Sequence, residues 1–224
     1  ALQIREEVLH AKHPDLATSY SWLGSVYSNK GDYTRAEEFH LKALQIREEV
    51  LDAKHPSLAI SYNNLGSVYY NKGDYARAEE FYLKALQIEE EVLHAKHPSL
   101  ASSYNNLGLV YSNKGDYTRA EEFHLKALQI REEVLHAKHP DLATSYSWLG
   151  SVCDNKGDYN RAEEFYLKAL QIEEEVLHAK HPSLASSYNN LGLVYSNKGD
   201  YTRAEEFHLK ALQIREEVLH AKHP

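Results

Sequence analysis

The sequence repeats itself with a fixed period of 42 residues. The segment that begins the chain recurs with its first residue at Ala1, Ala43, Ala85, Ala127, Ala169 and Ala211. Residues 85–126 and 169–210 are identical. Such a period predicts an array in which each repeat buries its apolar surface mainly against its neighbours. We therefore expect a single elongated domain over residues 1–224 rather than one or two globular domains.

The period also sets the repeat boundaries. We expect five full repeats, followed by the end of a last long helix at residues 211–224; the repeats are residues 1–42, 43–84, 85–126, 127–168 and 169–210. The near-identity of the copies fits either a recent amplification of a natural array or an engineered one, and both alternatives stay open. The chain is interpreted as a fragment of a longer array or as an engineered array.

Composition and charge exclude several classes of partner. The net charge is −8, and the lysines and arginines are interleaved with glutamates rather than gathered in a basic run. A basic patch is the electrostatic requirement for tracking phosphates, so nucleic acid is not an expected partner. No apolar stretch approaches the roughly 18 residues that a membrane-spanning helix needs, so no membrane partner is expected.

The chain has a single cysteine, Cys153, at a position where other copies have tyrosine. A lone thiol cannot form a disulfide within the chain, and it fits either a reducing compartment or sequence drift. The predicted location is cytoplasmic, and it is inferred from the class of repeat protein that the sequence indicates.

Each repeat contains two amphipathic helices, which we call helix A and helix B. In the second repeat, helix A is expected from Pro56 to about Lys72, with Gly73 as its cap. Its apolar residues recur at helical spacing, at Leu58, Ala59, Tyr62, Leu65, Gly66 and Tyr69. Asp74 is placed as the N-cap of helix B, which is expected from about Tyr75 to about Ala95. The chain is therefore predicted to be all-α.

Gly66 lies inside helix A, where a glycine costs about 1 kcal/mol relative to alanine. We expect this cost to be offset by a close approach of helix B, with Ala78 and Ala85 as the small residues that leave room.

The pattern formed by Tyr62, Leu65, Gly66, Tyr69, Gly73, Tyr75, Ala78 and Ala85 resembles the tetratricopeptide repeat. The longer period, with His-Pro opening each helix A, resembles the 42-residue repeats of kinesin light chains. The resemblance implies an α-solenoid, a right-handed superhelix of antiparallel helix pairs. It also implies that the helices A line a concave wall on which extended peptides bind.

Transferred to this sequence, that wall carries a set of polar and aromatic residues of helix A. The predicted peptide-binding residues are Ser21, Trp22, Asn29, Asn63, Asn64, Asn71, Asn105, Asn106, Asn113, Ser147, Trp148, Asn155, Asn189, Asn190 and Asn197. Asparagine donates and accepts hydrogen bonds and is suited to a peptide backbone, although these side chains equally suit a solvated polar surface. The two tryptophans are either aromatic anchors or packing between repeats. Because these positions contain no lysine or arginine, we expect a neutral, polar and locally aromatic groove.

Neither a metal site nor catalysis is predicted. Histidines recur three residues apart, at His10 and His13, His94 and His97, His136 and His139, His178 and His181, and His220 and His223. The second histidine of each pair precedes a proline, and no third ligand is nearby in sequence. There is no phosphate-binding glycine-rich loop, and the adjacent glutamates lie on a solvated helix surface. We therefore expect no cofactor and no enzymatic activity.

Two functions fit the pattern. The first is a non-catalytic interaction scaffold that binds a peptide or protein on the concave helix-A surface. The alternative is a self-assembling array whose ends associate, giving homo-oligomers by end stacking or swapping. The second reading rests on residues 1–14, which correspond to the second half of a helix B, and on the absence of a dedicated polar cap at either end.

Overall fold

A computed structural model describes residues 12–222, with side chains through Val218. This part of the chain is all-α and contains ten helices and no strand. In chain order they are α1 Pro14–Asn29, α2 Tyr33–Val50, α3 Pro56–Asn71, α4 Tyr75–Val92, α5 Pro98–Asn113, α6 Tyr117–Val134, α7 Pro140–Asn155, α8 Tyr159–Val176, α9 Pro182–Asn197 and α10 Tyr201–Lys222. The odd-numbered helices are the predicted helices A and the even-numbered ones the helices B. None of the described helices is both long and apolar enough to cross a membrane.

The helix starts follow from local side-chain chemistry. Before α3, the Nδ1 atom of His55 accepts a hydrogen bond of 3.1 Å from the Ser57 amide, so this histidine is the N-cap and Pro56 occupies the first turn. Before α4, the Asp74 carboxylate accepts from the Arg77 amide at 3.1 Å, as predicted. Between the two helices Gly73 has φ = +77°, a conformation that a side chain would strain. The histidine N-cap before proline, the aspartate N-cap and the glycine with positive φ recur in the other helix pairs.

The predicted end of helix B is wrong in the internal repeats. Helix α4 ends at Val92 instead of about Ala95, and Leu93 has extended backbone angles, with φ = −104° and ψ = 150°. The chain has to turn there to begin the next helix A at Pro98. Only α10 runs on, to Lys222.

The chain divides into two compact units, Ala1–Lys114 and Gly115–Pro224. In the first unit α1 pairs with α2 and α3 with α4, while α2 also packs on α3 and α4 on α5. In the second unit α6, α7, α8, α9 and α10 pack in succession, each on the next. Within each unit the helix pairs therefore stack as in an α-solenoid. The expectation of one continuous domain over residues 1–224 stays a prediction.

The close approach at Gly66 is present, but its partner differs from the prediction. A Cβ atom on Gly66 would lie 2.7 Å from the ring of Tyr82. Ala78 and Ala85 are fully buried nearby in sequence, yet the aromatic ring between them is what closes on the glycine.

Predictions for the chain ends fall partly outside the described residues. These are residues 1–11 of the first repeat, including His10, and residues 223–224, including His223. The side chain of His220 is also outside the described set.

Candidate functional site

A hollow of about 310 Å³ opens between α3 and α5 in the first unit. One of its lining residues is Glu89, which comes from α4, the helix between α3 and α5 in sequence. The other lining residues are Ile60, Asn63 and Asn64 of α3 and Ser99, Ser102, Ser103 and Asn106 of α5. We call this the Glu89 hollow, and we call the surface of the helices A around it the A-helix face.

Glu89 is a buried carboxylate, only 7% exposed. It accepts hydrogen bonds from Ser103 Oγ at 2.5 Å and from Asn63 Nδ2 at 3.0 Å. Burial raises the pKa of Glu89, and these two hydrogen bonds only partly oppose the increase. The Oδ1 atom of Asn63 is buried and accepts no hydrogen bond within the described part of the protein. The hollow therefore combines a buried carboxylate, which already accepts two hydrogen bonds, with an amide oxygen that accepts none from the described residues.

Arginine occupies the place of Glu89 in the preceding helix pair. Arg47 of α2 donates from Nη1 to Ser61 Oγ of α3 at 2.6 Å. The guanidinium is half-buried, and burial lowers the pKa of Arg47. In the second unit, Arg131 donates to Ser145 at 2.6 Å. At this position of helix B, a positively charged arginine in one helix pair therefore alternates with a glutamate in the next.

The expectation of a neutral groove is wrong for this reason. The helix A positions themselves carry no lysine or arginine, but helix B places a charged side chain against the following helix A. Glu173 accepts from Ser187 at 2.5 Å in the second unit and completes the alternation there. The signal was present in the sequence, because the residues one period apart are Arg47, Glu89, Arg131, Glu173 and Arg215.

The predicted asparagines separate into two groups. Asn63, Asn64 and Asn106 line the Glu89 hollow. The asparagine at the end of helix A mostly donates a hydrogen bond within its own helix. Asn71 donates to the Ser67 carbonyl at 2.8 Å, and Asn155 donates to the Ser151 carbonyl at 2.8 Å. Asn113 donates to the Leu109 carbonyl and to Tyr70, and Asn197 donates to Asp154. Of the remaining predicted positions, Ser21, Asn105, Ser147, Asn189 and Asn190 are half-buried and Asn29 is exposed.

The two predicted tryptophans have different surroundings. Trp148 stacks on His124 of the preceding helix, with ring centroids 6.1 Å apart and planes 4° apart. This is the packing between repeats that the sequence left as one alternative. Trp22 is 70% exposed, against 37% for Trp148.

In the described residues the second histidine of each pair is the N-cap of a helix A. His97 Nδ1 accepts from the Ser99 amide at 3.2 Å, which occupies one of its two nitrogens, and its ring meets that of His94 edge-on. In residues 12–222 no three histidine, cysteine, aspartate or glutamate side chains are gathered so that they would hold a metal ion.

A hydrogen-bond node connects successive helix pairs. Glu79 accepts from the Tyr111 hydroxyl at 2.7 Å and from Lys114 Nζ. In the second unit Cys153 replaces the tyrosine of this node, and Glu121 is held by Lys156 and Arg161 at 2.5 Å each. Cys153 is fully buried, which raises the pKa of its thiol to about 11.

Comparison with known families agrees with this architecture. The tetratricopeptide repeat model matches four overlapping segments, residues 15–91, 58–133, 99–175 and 141–217. The chain belongs to the tetratricopeptide repeat family. Proteins of this family generally mediate protein–protein interactions and are generally non-catalytic. No curated protein matches the chain.

Several solved structures are similar. A putative kinesin light chain from Podosopora anserina with nearly identical TPR-like repeats is 25% identical, with a TM-score of 0.81, and the match covers 92% of this chain and 98% of that one. BtubC (BKLC) from P. vanneervenii is 27% identical, with a TM-score of 0.82 and coverage of 94% and 84%. YrrB, described as a TPR protein with an unusual peptide-binding site, is 21% identical with a TM-score of 0.63, covers 98% and 96%, and is similar in fold alone.

Proposed function

We propose that this protein is a non-catalytic scaffold that binds extended peptide segments on its A-helix face, and that the Glu89 hollow receives a basic side chain of the ligand. The observation that carries the proposal is the buried carboxylate of Glu89 beside the unsatisfied Asn63 Oδ1 atom. The family's general role in protein–protein interaction supports the same class of function.

The ligand chemistry follows from the acceptors. A lysine ammonium has three donors and no acceptor, so it matches a carboxylate and an amide oxygen at once. Its positive charge would also favour the ionised form of Glu89, which burial now disfavours. Asn64 and Asn106 on either side are suited to the backbone of the same peptide.

The half-buried Arg47 extends the pattern to the neighbouring helix pair. It places a positive charge against α3, whereas Glu89 places a negative charge between α3 and α5. The preferred peptide therefore carries a basic residue at the Glu89 hollow and an acidic residue toward Arg47.

A selection from a random 12-residue peptide display library on the immobilised protein tests this proposal. We expect enrichment of lysine or arginine at one position. Glu89→Gln should weaken a selected peptide at least tenfold in fluorescence polarisation. Glu80→Gln is the matched control, because it makes the same change on α4 at an exposed glutamate paired with Lys84. Peptides without a basic preference, or equal affinity for Glu89→Gln and the wild type, would reject the assignment of the hollow.

Self-association is the second candidate function. It is favoured by the exposure of Val26 on α1 and Leu212 on α10, which are 46% and 48% exposed although their counterparts in other helix pairs are buried. Light scattering after size exclusion, over a hundredfold range of concentration, should give a mass that rises above 25.7 kDa. A constant mass over that range would exclude this function.

Nucleic acid and membranes are not proposed as partners, in keeping with the net charge of −8 and the absence of a basic run. The cytoplasmic location stays a prediction. Cell fractionation of the expressed protein would check it.

A further inference from the structure

One side chain on the A-helix face of the first unit is apolar and exposed. Ile60 of α3 lines the Glu89 hollow and is 56% exposed. Helices precede and follow α3 in the same unit, so the neighbouring helix pairs are in place and still leave Ile60 uncovered. The residues at the equivalent position of the other helices A are small and polar: Thr18, Ser102, Thr144 and Ser186.

Ile60 also borders the position of Arg47. The guanidinium of Arg47 donates to Ser61, which is the residue next to Ile60 in α3. The counterpart of Ile60 one period later is Ser102, and Ser102 lines the hollow around Glu89, the counterpart of Arg47. By this correspondence Ile60 lies beside Arg47 on one side of α3, and it lies beside Glu89 on the other.

The two charged groups have opposite signs. Arg47 is a half-buried cation and Glu89 a buried carboxylate, and each contacts a side chain of α3. The order across α3 is therefore positive, apolar and negative. We call the three residues Arg47, Ile60 and Glu89 the Ile60 strip.

An extended peptide can match the whole strip at once. Alternate side chains of an extended chain point to the same side, so three of them, two residues apart, can face one surface. Opposite charges at the two ends fix the register of the peptide, and apolar surface that leaves water in the middle adds affinity.

We propose that the ligand of the first unit is an extended peptide with an acidic, an apolar and a basic residue at alternate positions, and that Ile60 selects the apolar one. The acidic side chain pairs with Arg47, the apolar side chain covers Ile60, and the basic side chain enters the Glu89 hollow. This inference rests on the proposed peptide-binding function and specifies its ligand.

Two fluorescein-labelled peptides of nine residues test the middle position. The leucine peptide has glutamate, leucine and lysine at its third, fifth and seventh positions and serine elsewhere, and the serine peptide has serine at the centre as well. Fluorescence polarisation measures their affinity for the full chain. Every protein in the experiment carries Glu173→Gln, which removes the equivalent carboxylate of the second unit.

The protein with Ile60 should bind the leucine peptide about tenfold more tightly than the serine peptide. Ile60→Thr should abolish most of this preference and leave the affinity for the serine peptide nearly unchanged. Threonine keeps the branched Cβ atom and is the residue at the equivalent Thr144, so the fold should tolerate it. Leu83→Thr is the matched control and should keep the preference, because Leu83 is 40% exposed on α4 and is not among the residues that line the hollow.

A third peptide tests the acidic position. It has glutamine in place of the glutamate of the leucine peptide, and it should bind the protein with Arg47 more weakly than the leucine peptide does. Arg47→Gln should bind these two peptides equally. A difference that persists in Arg47→Gln would show that the acidic residue does not pair with this arginine.

The remaining outcomes separate this inference from the function on which it rests. If Glu89→Gln weakens both the leucine and the serine peptide but Ile60→Thr keeps the preference for leucine, the hollow stands and the role of Ile60 is wrong. If Glu89→Gln changes neither affinity, or if no peptide binds, the assignment of the hollow fails first. A mass that rises with concentration in the presence of Ile60 and stays constant in Ile60→Thr would assign the side chain to a contact between copies and overturn the peptide ligand. Circular dichroism of each variant confirms that the helices are retained.

Discussion

The ring of Tyr82 occupies the space that any side chain at position 66 would need. A Cβ atom on Gly66 would come within 2.7 Å of the ring. His40 closes on Gly24 at 2.7 Å and Tyr166 on Gly150 at 2.8 Å in the same way. The glycine in helix A therefore permits a large aromatic side chain to fill the interior of each of these helix pairs.

Gly66→Ala should destabilise the protein although alanine is the better helix former. The propensity gain of about 1 kcal/mol is outweighed by overpacking against Tyr82, which typically costs about 1–3 kcal/mol. The midpoint of guanidinium unfolding should fall. In the double variant Gly66→Ala/Tyr82→Ala the two effects should be less than additive, because the second change removes the clash. A higher midpoint for Gly66→Ala alone would contradict the close contact.

Cys153→Tyr should stabilise the second unit. At the corresponding position Tyr195 stacks on Phe207 at 5.3 Å, and its hydroxyl donates to Glu163. Restoring both contacts, to Phe165 and Glu121, should add about 1–2 kcal/mol. Cys153→Phe restores only the stacking and should give roughly half of the gain. An unfolding midpoint at or below that of the wild type would show that the site no longer accommodates the larger ring.

His124 should make the protein sensitive to mild acid. Burial, assisted by the nearby charge of Arg131, lowers the pKa of His124 from 6.5 to about 4. Below pH 6.5 this histidine binds a proton in the unfolded chain, whereas in the folded chain it binds one only near pH 4. The free energy of unfolding therefore decreases as the pH falls from 6.5 to about 4. The loss should be on the order of 2–3 kcal/mol.

His124→Tyr should remove this part of the pH dependence. Tyrosine is the residue at the same position in alternate helix pairs, as at Tyr82, and a phenol is neutral throughout the acid range. Unfolding midpoints between pH 7 and 4 measure the effect. His136→Asp is the control, since it places on an exposed turn the residue found at the equivalent Asp52. An unchanged pH slope in His124→Tyr would contradict the buried neutral histidine.

Glu89 should show a pH effect of opposite sign. Because burial raises the pKa of Glu89 above 4.5, its ionised form is disfavoured in the folded state, and this penalty disappears as the pH falls from neutral toward 4.5. Glu89→Gln should raise the unfolding midpoint at pH 7, with a smaller difference near pH 4.5.

Glu37→Gln is the comparison for that experiment. Burial alone would raise the pKa of Glu37, but hydrogen bonds from Lys72 and Tyr69 outweigh burial and lower it. This substitution should therefore reduce stability at pH 7 and matter less in acid. If both variants change stability in the same direction, the environments assigned to the two glutamates are wrong.

Much of the local structure was predictable from the sequence. Asp74 as an N-cap, Pro56 in a first turn and Gly73 in a left-handed turn are properties of a few consecutive residues, and each is confirmed. His55 as a cap was missed, because histidine before proline was considered only as a metal ligand.

The candidate site was predictable in part. Asn63 and Asn106 were selected by transferring to helix A the concave wall that the family resemblance implies, and both line the Glu89 hollow. Glu89 was missed because it lies on the other helix of the pair. Its approach to Ser103 depends on the packing of two successive helix pairs, which the periodicity of one helix does not contain.

Two segments of identical sequence end their helices at different positions. Residues 117–140 and 201–224 have the same sequence, and both begin a helix at the same tyrosine after the same aspartate cap. The sequence by itself determined the period, the helix pairs and their starts. The end of helix B was decided by tertiary structure: α6 stops at Val134, where Leu135 packs against the buried cluster and the chain turns to lay α7 on α6, whereas α10 continues to Lys222. Ending helix B at Val134 loses the backbone hydrogen bonds of one more helical turn. Packing of the following helix offsets that loss of stabilising free energy.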